Sequence, residues 1–224
     1  MWGIIPAAGQ GTRLPNKPCC KELIPVAGKP VIEYLLDRMV IGGADKICIV
    51  ISPEKFDIVQ KYRDAYKTAK LCYVVQPEPR GLADAIFRCE PIVNGDVLIG
   101  LPDTIWFPEH GFRTLPRSMS LLVFKVPDPR NFDSVKYDEA GTVSRVAVKS
   151  YKPASDWVWG AMQMTAMELR TLKRMWRGGP YIGSVIDHWV EAEGQVIAIE
   201  ASGPYLDIGT PKGLKAAEEY LATL

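Results

Sequence analysis

A short apolar run that breaks into a glycine-rich loop stands at the start of this chain. The run, Ile4–Ile5, is typical of a buried strand, and the loop Ala7–Arg13 reads AAGQGTR. Its two glycines let the backbone turn tightly and approach a ligand closely, and successive N–H groups in such a turn form a nest for phosphate oxygens. Its arginine supplies a planar, permanent positive charge, and Lys17 and Lys21 follow within a few residues. The loop is therefore predicted to bind a polyphosphate.

Three other interpretations of the loop fit less well. A dinucleotide-binding fingerprint requires G-x-G-x-x-G, but the sixth position here is Leu14. A Walker A loop requires Gly-Lys followed by Ser or Thr, but Gly28-Lys29 is followed by Pro30. The third interpretation is a plain glycine turn among solvated charges, which is disfavoured because the charges lie inside the loop itself.

Strands and helices alternate through the first half of the chain. After the first strand, the apolar patterns predict the strands Lys46–Ile51, Leu71–Val75 and Asp96–Leu101, and helices that begin at Pro30, over Glu54–Tyr66 and over Leu82–Cys89. Such alternation implies βαβ units and a mainly parallel sheet. Ligands of these sheets bind outside the carboxyl ends of the strands, where the first loop, Gln76 and Asp103 fall.

The second half has a different pattern, with several strands in succession. The predicted strands are Ser120–Val126, Ser134–Tyr137, Thr142–Val148, Trp157–Met164 and Val196–Glu200, and the predicted helices are Ala166–Trp176, Ser184–Glu193 and Pro211–Leu224. We predict one domain over 1–224, with a nucleotide-binding half over about 1–118. The half over about 119–224 is predicted to form a smaller mixed lobe and a closing helix, facing the first half across a cleft.

The composition excludes several classes of protein. Lys plus Arg number 27 against 26 for Asp plus Glu, and this balance is unlike that of a general nucleic-acid binder. The five cysteines are odd in number and lack the C-x-x-C spacing of metal sites. No signal peptide is expected, because the first residues run directly into the first predicted strand, and no apolar run approaches the ~20 residues of a membrane span. A cytoplasmic protein with no nucleic-acid or membrane partner is predicted.

The first loop carries a resemblance to a known family. Gly9-Gln10-Gly11-Thr12-Arg13, with Lys21 four residues before Pro25-Val26, resembles the signature of the sugar-1-phosphate nucleotidylyltransferases. The resemblance implies a Rossmann-like α/β fold, with a mainly parallel sheet, helices on both faces and a small mixed sugar-binding lobe. It also implies Mg²⁺-dependent transfer of a nucleotidyl group from a nucleoside triphosphate to a sugar-1-phosphate, with release of pyrophosphate.

Two aspartates are candidates for the metal site. Asp103 follows a buried strand, and Asp207 lies in a D-x-G-T sequence. Carboxylates are natural Mg²⁺ ligands, with phosphates and water completing the shell. Both residues resemble the family's two metal-binding aspartates, and the alternative is that each only caps a turn.

A third segment resembles the part of the family that binds the nucleobase. Gln76 to Ala85 reads QPEPRGLADA, a pattern of the thymidylyl- and uridylyltransferase branches. A glutamine amide both donates and accepts, so Gln76 can recognise the edge of a pyrimidine, and Gly81 lets the backbone approach the base. The Leu-Pro-Asp around Asp103 is more similar to the uridylyl branch, so the choice between dTTP and UTP stays open.

The sugar side departs from the family pattern. Lys152-Pro153 resembles the family's E-K-P, whose lysine binds the sugar phosphate, but Tyr151 replaces the acid that usually contacts sugar hydroxyls. Asp133 stands where relatives often have glycine, and Gly183 ends a Tyr-Ile-Gly segment in place of acid-Ile-Thr. Gly160 fits the glycine that closes over the sugar.

The resemblance therefore assigns a complete set of site residues. They are Arg13, Lys21 and Lys152 as catalytic residues; Ala8, Gly9, Gly11, Thr12, Gln76 and Gly81 for the nucleotide; Gly160 and Lys152 for the sugar phosphate; and Asp103 and Asp207 for Mg²⁺. Two alternatives remain open: a nucleotide-binding regulatory homologue without turnover, and a cytidylyltransferase acting on a non-sugar phosphate. A homo-oligomer is also left open.

Overall fold

A computed structural model describes residues 1–11 and 20–224 of the chain. Its strands are β1 (Trp2–Pro6), β2 (Pro25–Val26), β3 (Lys29–Pro30), β4 (Lys46–Ile51), β5 (Ala65–Tyr66), β6 (Ala69–Val75), β7 (Asp96–Gly100), β8 (Thr104–Trp106), β9 (Ser120–Lys125), β10 (Asp133–Tyr137), β11 (Val143–Val148), β12 (Trp157–Thr165), β13 (Ile197–Glu200) and β14 (Tyr205–Asp207). Its α-helices are α1 (Val31–Ile41), α2 (Phe56–Tyr62), α3 (Leu82–Arg88), α4 (Ala166–Met175), α5 (Ile182–Glu191) and α6 (Pro211–Leu221).

The first half builds the parallel part of a large sheet. Its strands lie in the order β7-β1-β4-β6, and each neighbouring pair is parallel. The carboxyl ends of these strands therefore meet at one edge of the sheet, and the loop after β1 leaves from that edge between the ends of β7 and β4. The predicted mainly parallel α/β sheet is confirmed.

Helices cover both faces of this sheet because alternate side chains of each strand point to opposite faces. Ile4 belongs to a core with residues of α3, α4 and α5, whereas Ile5 belongs to a second core with residues of α1 and α2. Both isoleucines are fully buried. The continuous apolar runs read in the sequence follow from burial on both faces.

The second half continues the same sheet with antiparallel strands. β12 pairs antiparallel with β7, and β9 and β10 pair antiparallel with β12. The two predicted halves are thus joined through the β7–β12 ladder. A separate two-stranded sheet pairs β14 with β8, with Asp207 opposite Thr104.

The helix predicted over Glu54–Tyr66 is wrong at both ends. α2 begins at Phe56, after a 3₁₀ turn, and ends at Tyr62, since Arg63 adopts a positive φ of 52°. The chain then forms β5, which pairs antiparallel with β6. The Tyr62 hydroxyl donates to Glu33 and the Tyr66 hydroxyl donates to Asp37, and both acceptors lie on α1. These two hydrogen bonds fix Tyr62 and Tyr66 against α1, although the helix does not continue from one tyrosine to the other.

Within the two described ranges, no helix is long and apolar enough to cross a membrane. The longest helices, α1 and α6, have 11 residues each.

Candidate active site

The glycine-rich loop leaves the carboxyl end of β1 and is tied to the neighbouring strand. The backbone N–H of Ala7 donates to the carbonyl oxygen of Val50 at 2.7 Å, and Ala8 is buried. Gly11 has a positive φ of 62°, a conformation that favours glycine. Thr12, which the sequence assigns to the nucleotide, and Arg13, which it assigns as a catalytic residue, lie outside the described residues.

Lys21 reaches across the sheet edge to Asp103. Its ammonium group forms an ion pair with the Asp103 carboxylate, and both side chains are largely buried. The aliphatic part of the Lys21 side chain lies over Gly11, with Cδ 3.6 Å from where a β-carbon would stand. The structure therefore brings together Lys21, the loop after β1 and the carboxylate after β7, as predicted from their places in the sequence.

A fully buried ion pair fixes the turn that carries Lys21. Glu22 is 0% exposed, and the Lys55 ammonium group donates to both of its carboxylate oxygens at 2.7 Å. Lys55 also donates to the carbonyl oxygen of Ala7 at 2.7 Å. Burial raises the pKa of Glu22, although the Lys55 charge and hydrogen bond oppose that shift. The pair thus joins the Lys21 turn to the end of β1, and sequence analysis did not identify it.

The two aspartates assigned to the metal lie close together. The backbone N–H of Ile208, next to Asp207, donates to the carbonyl oxygen of Asp103 at 2.9 Å. Asp207 Oδ1 accepts from the N–H of Gly209 at 2.9 Å. Burial raises the pKa of Tyr205 well above its usual range, and the negative charges of Asp103 and Asp207 raise it further. Both carboxylates therefore lie near enough to the Tyr205 hydroxyl for their charges to affect its ionisation.

This donor set fits Mg²⁺ rather than a metal held by protein alone. Among the described residues, no three His, Cys, Asp or Glu side chains converge on one point. Mg²⁺ is usually bound by one or two carboxylates, with substrate phosphates and water in its remaining positions. Asp103 and Asp207 both line the same cavity, which has room for such partners.

Gln76 is buried at the end of β6 with its amide already oriented. Its Nε2 donates to the carbonyl oxygen of Gly81 at 3.1 Å and to Asp84 Oδ2 at 2.7 Å. Because both partners are acceptors, the amide nitrogen faces them and the amide oxygen faces away. Gly81 has a φ of 96°, and a β-carbon there would lie 2.4 Å from Pro180 Cβ. Glycine is therefore required at that position on both counts.

These residues line two connected chambers. The loop chamber has a volume of about 410 Å³ and is lined by Gly9, Lys21 and Gln76, among others. The lobe chamber has a volume of about 300 Å³ and is lined by Asp133, Trp159, Asp207 and the aromatic rings of Phe132, Tyr181 and Tyr205, among others. The residues that line both are Gly81, Leu82, Leu101, Asp103 and Lys149. The predicted cleft between the two halves thus has two compartments with a shared wall.

Lys152 does not lie in either chamber. It is exposed, and its backbone N–H donates to Ser150 Oγ at 3.0 Å. Lys149, the residue after β11, lines both chambers instead, and its ammonium group lies 5.1 Å from the centre of the Tyr181 ring. The sequence analysis assigned the lysine of the Lys-Pro pair and did not consider Lys149. The position of Lys149 directly after a predicted strand was the signal that could have identified it.

Gly160 lies behind the wall of the lobe chamber. A β-carbon there would lie 2.4 Å from Tyr205 Cε2 and 2.8 Å from Phe124 Cε2. The glycine therefore allows the Tyr205 ring to pack against β12, where the pairing with β9 shifts register. Gly160 therefore affects the lobe chamber indirectly, by setting the position of the Tyr205 ring.

A larger depression of about 580 Å³ lies along the β10–β11 hairpin and contains none of the predicted site residues. Its walls include Tyr137, Trp157 and Glu200. Because the motif residues converge on the two-chamber cleft, we assign the chemistry to that cleft.

Comparison with known proteins agrees with this arrangement. A family model described as "Nucleotidyl transferase" matches residues 2–223. The chain is 30% identical to a glucose-1-phosphate thymidylyltransferase of Neisseria gonorrhoeae, over 100% of this chain and 83% of that protein. It is 28% identical to a UTP–glucose-1-phosphate uridylyltransferase of Haloferax volcanii, over 99% and 96%. A solved UDP-glucose pyrophosphorylase with bound UDP-glucose superposes with a TM-score of 0.87 at 19% identity, over 99% of this chain and 98% of that chain.

Proposed function

The chain belongs to the nucleotidyl transferase family, and from this premise we propose that it transfers a nucleotidyl group from dTTP or UTP to a sugar-1-phosphate. The observation that carries the proposal is the pair of chambers that share a wall at Asp103 and Lys149. One chamber has the features of a nucleotide site, and the other has the aromatic and carboxylate groups that suit a sugar. The two curated relatives are named for glucose-1-phosphate, so this is the first acceptor to test.

In the proposed reaction, an oxygen of the sugar phosphate attacks the α-phosphorus of the nucleoside triphosphate. A new P–O bond forms as the bond to the β-phosphate oxygen breaks, and pyrophosphate leaves with the bonding pair. No general base is needed because the nucleophile is already an anion. The protein contributes position and charge, which are the main sources of catalysis in such transfers.

Residues of the loop chamber would hold the triphosphate. The N–H groups from Gly9 to Gly11 would bind the β- and γ-phosphates, together with Arg13. Lys21 would offset the negative charge on the transferred phosphoryl group. The Lys55–Glu22 pair supports that role because it fixes the turn that carries Lys21.

Asp103 and Asp207 would hold Mg²⁺. When bound, the ion would neutralise charge on the triphosphate and on the pyrophosphate that departs. The carboxylates suit this because both line one cavity.

The orientation of Gln76 supports a uracil or thymine base. Its amide nitrogen is held by Gly81 and Asp84, which leaves the amide oxygen to accept a hydrogen bond. Uracil and thymine carry a ring N–H donor between two carbonyl groups, whereas cytosine has an acceptor at that ring position. Neither alternative raised by the sequence is favoured, because the two relatives described above are a thymidylyl- and a uridylyltransferase. The cytoplasmic location and a homo-oligomeric state stay predictions.

The direct test is pyrophosphate release in the presence of Mg²⁺. Each common nucleoside triphosphate is combined with glucose-1-phosphate and with a panel of other sugar-1-phosphates. We expect release with dTTP or UTP and at least one acceptor, and none when Mg²⁺ is chelated. Nucleotide binding by calorimetry without release for any pair would contradict the transferase proposal and favour a regulatory protein.

The two neighbouring lysines can be separated by matched variants. Lys149→Met is expected to lower kcat/KM for the sugar phosphate by about 10²-fold, because a cation that faces the incoming phosphate is lost. Lys152→Met is expected to leave it little changed, because Lys152 lies outside both chambers. The same assay decides between them: loss in Lys152→Met with full activity in Lys149→Met would restore the assignment made from the Lys-Pro pair.

A further inference from the structure

Asp133 is the charged group of the lobe chamber that the proposed reaction leaves without a role. The four charged residues of this chamber are Asp103, Asp133, Lys149 and Asp207. Two of the carboxylates are assigned to Mg²⁺, and the lysine to the sugar phosphate. Asp133 therefore remains for recognition of the rest of the acceptor.

The position of Asp133 is set by the sheet. It opens β10 and pairs with Val148 of β11, directly before Lys149. Trp159 Nε1, on the neighbouring β12, donates to Asp133 Oδ2 at a long 3.4 Å. An ionised carboxylate can accept about four hydrogen bonds, so this contact uses little of its capacity.

Burial raises the pKa of Asp133, opposed by the Trp159 hydrogen bond, the Lys149 charge and the Lys149 backbone N–H. Among residues 1–11 and 20–224, no other group donates a hydrogen bond to this carboxylate. A ligand that supplies hydroxyl donors would therefore stabilise its ionised form, and hydrogen bonds to a charged acceptor are the strong ones.

Gly183 shows that the carboxylate occupies space made for it. A β-carbon on Gly183, in the first turn of α5, would lie 2.5 Å from Asp133 Oδ2 and 3.0 Å from Val148 Cγ2. Any side chain at this position would therefore collide with the Asp133 carboxylate. The two departures noted in the sequence, an acid at 133 and a glycine at 183, are thus linked, because the carboxylate fits only where residue 183 has no side chain.

No carboxylate reaches the chamber from the segment that resembles E-K-P. Tyr151 stands in place of the acid there and is 94% exposed. The rings of Phe132, Trp159 and Tyr181 line the chamber around Asp133, and such apolar faces pack against the C–H faces of a sugar while its hydroxyls face polar groups.

We propose that Asp133 determines acceptor specificity: its carboxylate accepts hydrogen bonds from ring hydroxyls of the sugar-1-phosphate, in a pocket that the absence of a side chain at Gly183 keeps open. This inference rests on the proposed function. It restricts the acceptor to sugar phosphates with a free hydroxyl at the position that faces Asp133, and it disfavours analogues in which that hydroxyl is missing.

The test combines substrate analogues with an isosteric variant. The acceptor that gives most turnover in the panel is compared with each of its monodeoxy analogues, in the wild type and in Asp133→Asn. We expect one deoxy analogue to lose about 10- to 100-fold in kcat/KM with the wild type, the range for a hydrogen bond to a charged group. In Asp133→Asn the parent acceptor should fall by a similar factor, whereas the same deoxy analogue should fall little further.

Glu139→Gln is the matched control, since Glu139 is an exposed acid in the turn of the same hairpin. It should leave every value unchanged, and the KM for the nucleotide should stay constant in all variants. Coupling between one hydroxyl and Asp133 is the signature of direct contact, and a merely structural role would lower all acceptors equally. Equal loss for all acceptors, or no loss, would overturn the inference while the transferase activity stands. A wild type that releases no pyrophosphate with any pair would overturn the proposed function itself.

Discussion

Asp103→Asn is expected to lower the turnover number by about 10²–10³-fold, the usual cost of removing a charge contact made mainly in the transition state. The substitution keeps the shape of the side chain but removes the negative charge that pairs with Lys21 and that would bind Mg²⁺. The measurement is pyrophosphate release at saturating concentrations of both substrates. Thermal unfolding of the same samples checks that the fold is intact.

Asp96→Asn is the control for this variant. Asp96 opens the same strand, β7, at the end far from Asp103, and its carboxylate faces the exposed Arg117 at 3.6 Å. Exposed pairs of this kind contribute about 0–1 kcal/mol to stability, so activity and melting temperature should both stay near the wild type. Full activity of Asp103→Asn would remove Asp103 from the mechanism.

Lys55→Met is expected to lower the free energy of unfolding by about 3–5 kcal/mol, because it leaves the buried Glu22 carboxylate without its partner. Glu22 is 0% exposed and Lys55 2% exposed, so water cannot replace the lost hydrogen bonds. The measurement is urea-induced unfolding at equilibrium. Domains of ordinary stability have only about 5–15 kcal/mol in total, so a large part of this reserve would be lost.

Two further variants make the prediction specific. Lys55→Met combined with Glu22→Leu removes both charges and should recover much of the loss, because a buried pair replaced by apolar groups is often neutral. Lys173→Met removes a lysine at a similar distance, 2.8 Å, from Glu90, but that lysine is 40% exposed, and the expected cost is below about 1 kcal/mol. Equal costs for Lys55→Met and Lys173→Met would contradict the reasoning from burial.

The sequence allowed most of the fold to be predicted, because local pattern and burial agree in this chain. β4 occupies Lys46–Ile51 as predicted, and α4 begins at Ala166 as predicted. The helix over Glu54–Tyr66 failed because Tyr66 is held by a hydroxyl contact to Asp37. Such a contact joins two distant parts of the chain, so the local hydrophobic pattern cannot reveal it.

In the candidate site, too, positions set by strand order could be predicted from the sequence, whereas contacts between distant parts of the chain could not. Gln76 and Asp103 lie together at one edge of the sheet, as predicted, because both follow strands and parallel strands bring such positions to one edge. The Glu22–Lys55 pair was missed because two charges 33 positions apart carry no sign in the sequence that they are buried. Lys149 was not considered for a related reason: the motif resemblance pointed to Lys152, whereas it is Lys149, directly after β11, that lines the cleft.

The ladder between β7 and β12 ties the two substrate sides of the cleft together over five residue pairs, from Asp96–Thr165 to Gly100–Ala161. The groups beyond β7 that would act on the nucleotide and those on β12 that would face the sugar are therefore mounted on adjacent strands of one framework. Much of the entropic cost of aligning two reactants is met when the chain folds, rather than at each encounter. The approach of the reacting groups then depends on side chains and loops, since the strands themselves cannot separate without breaking the sheet.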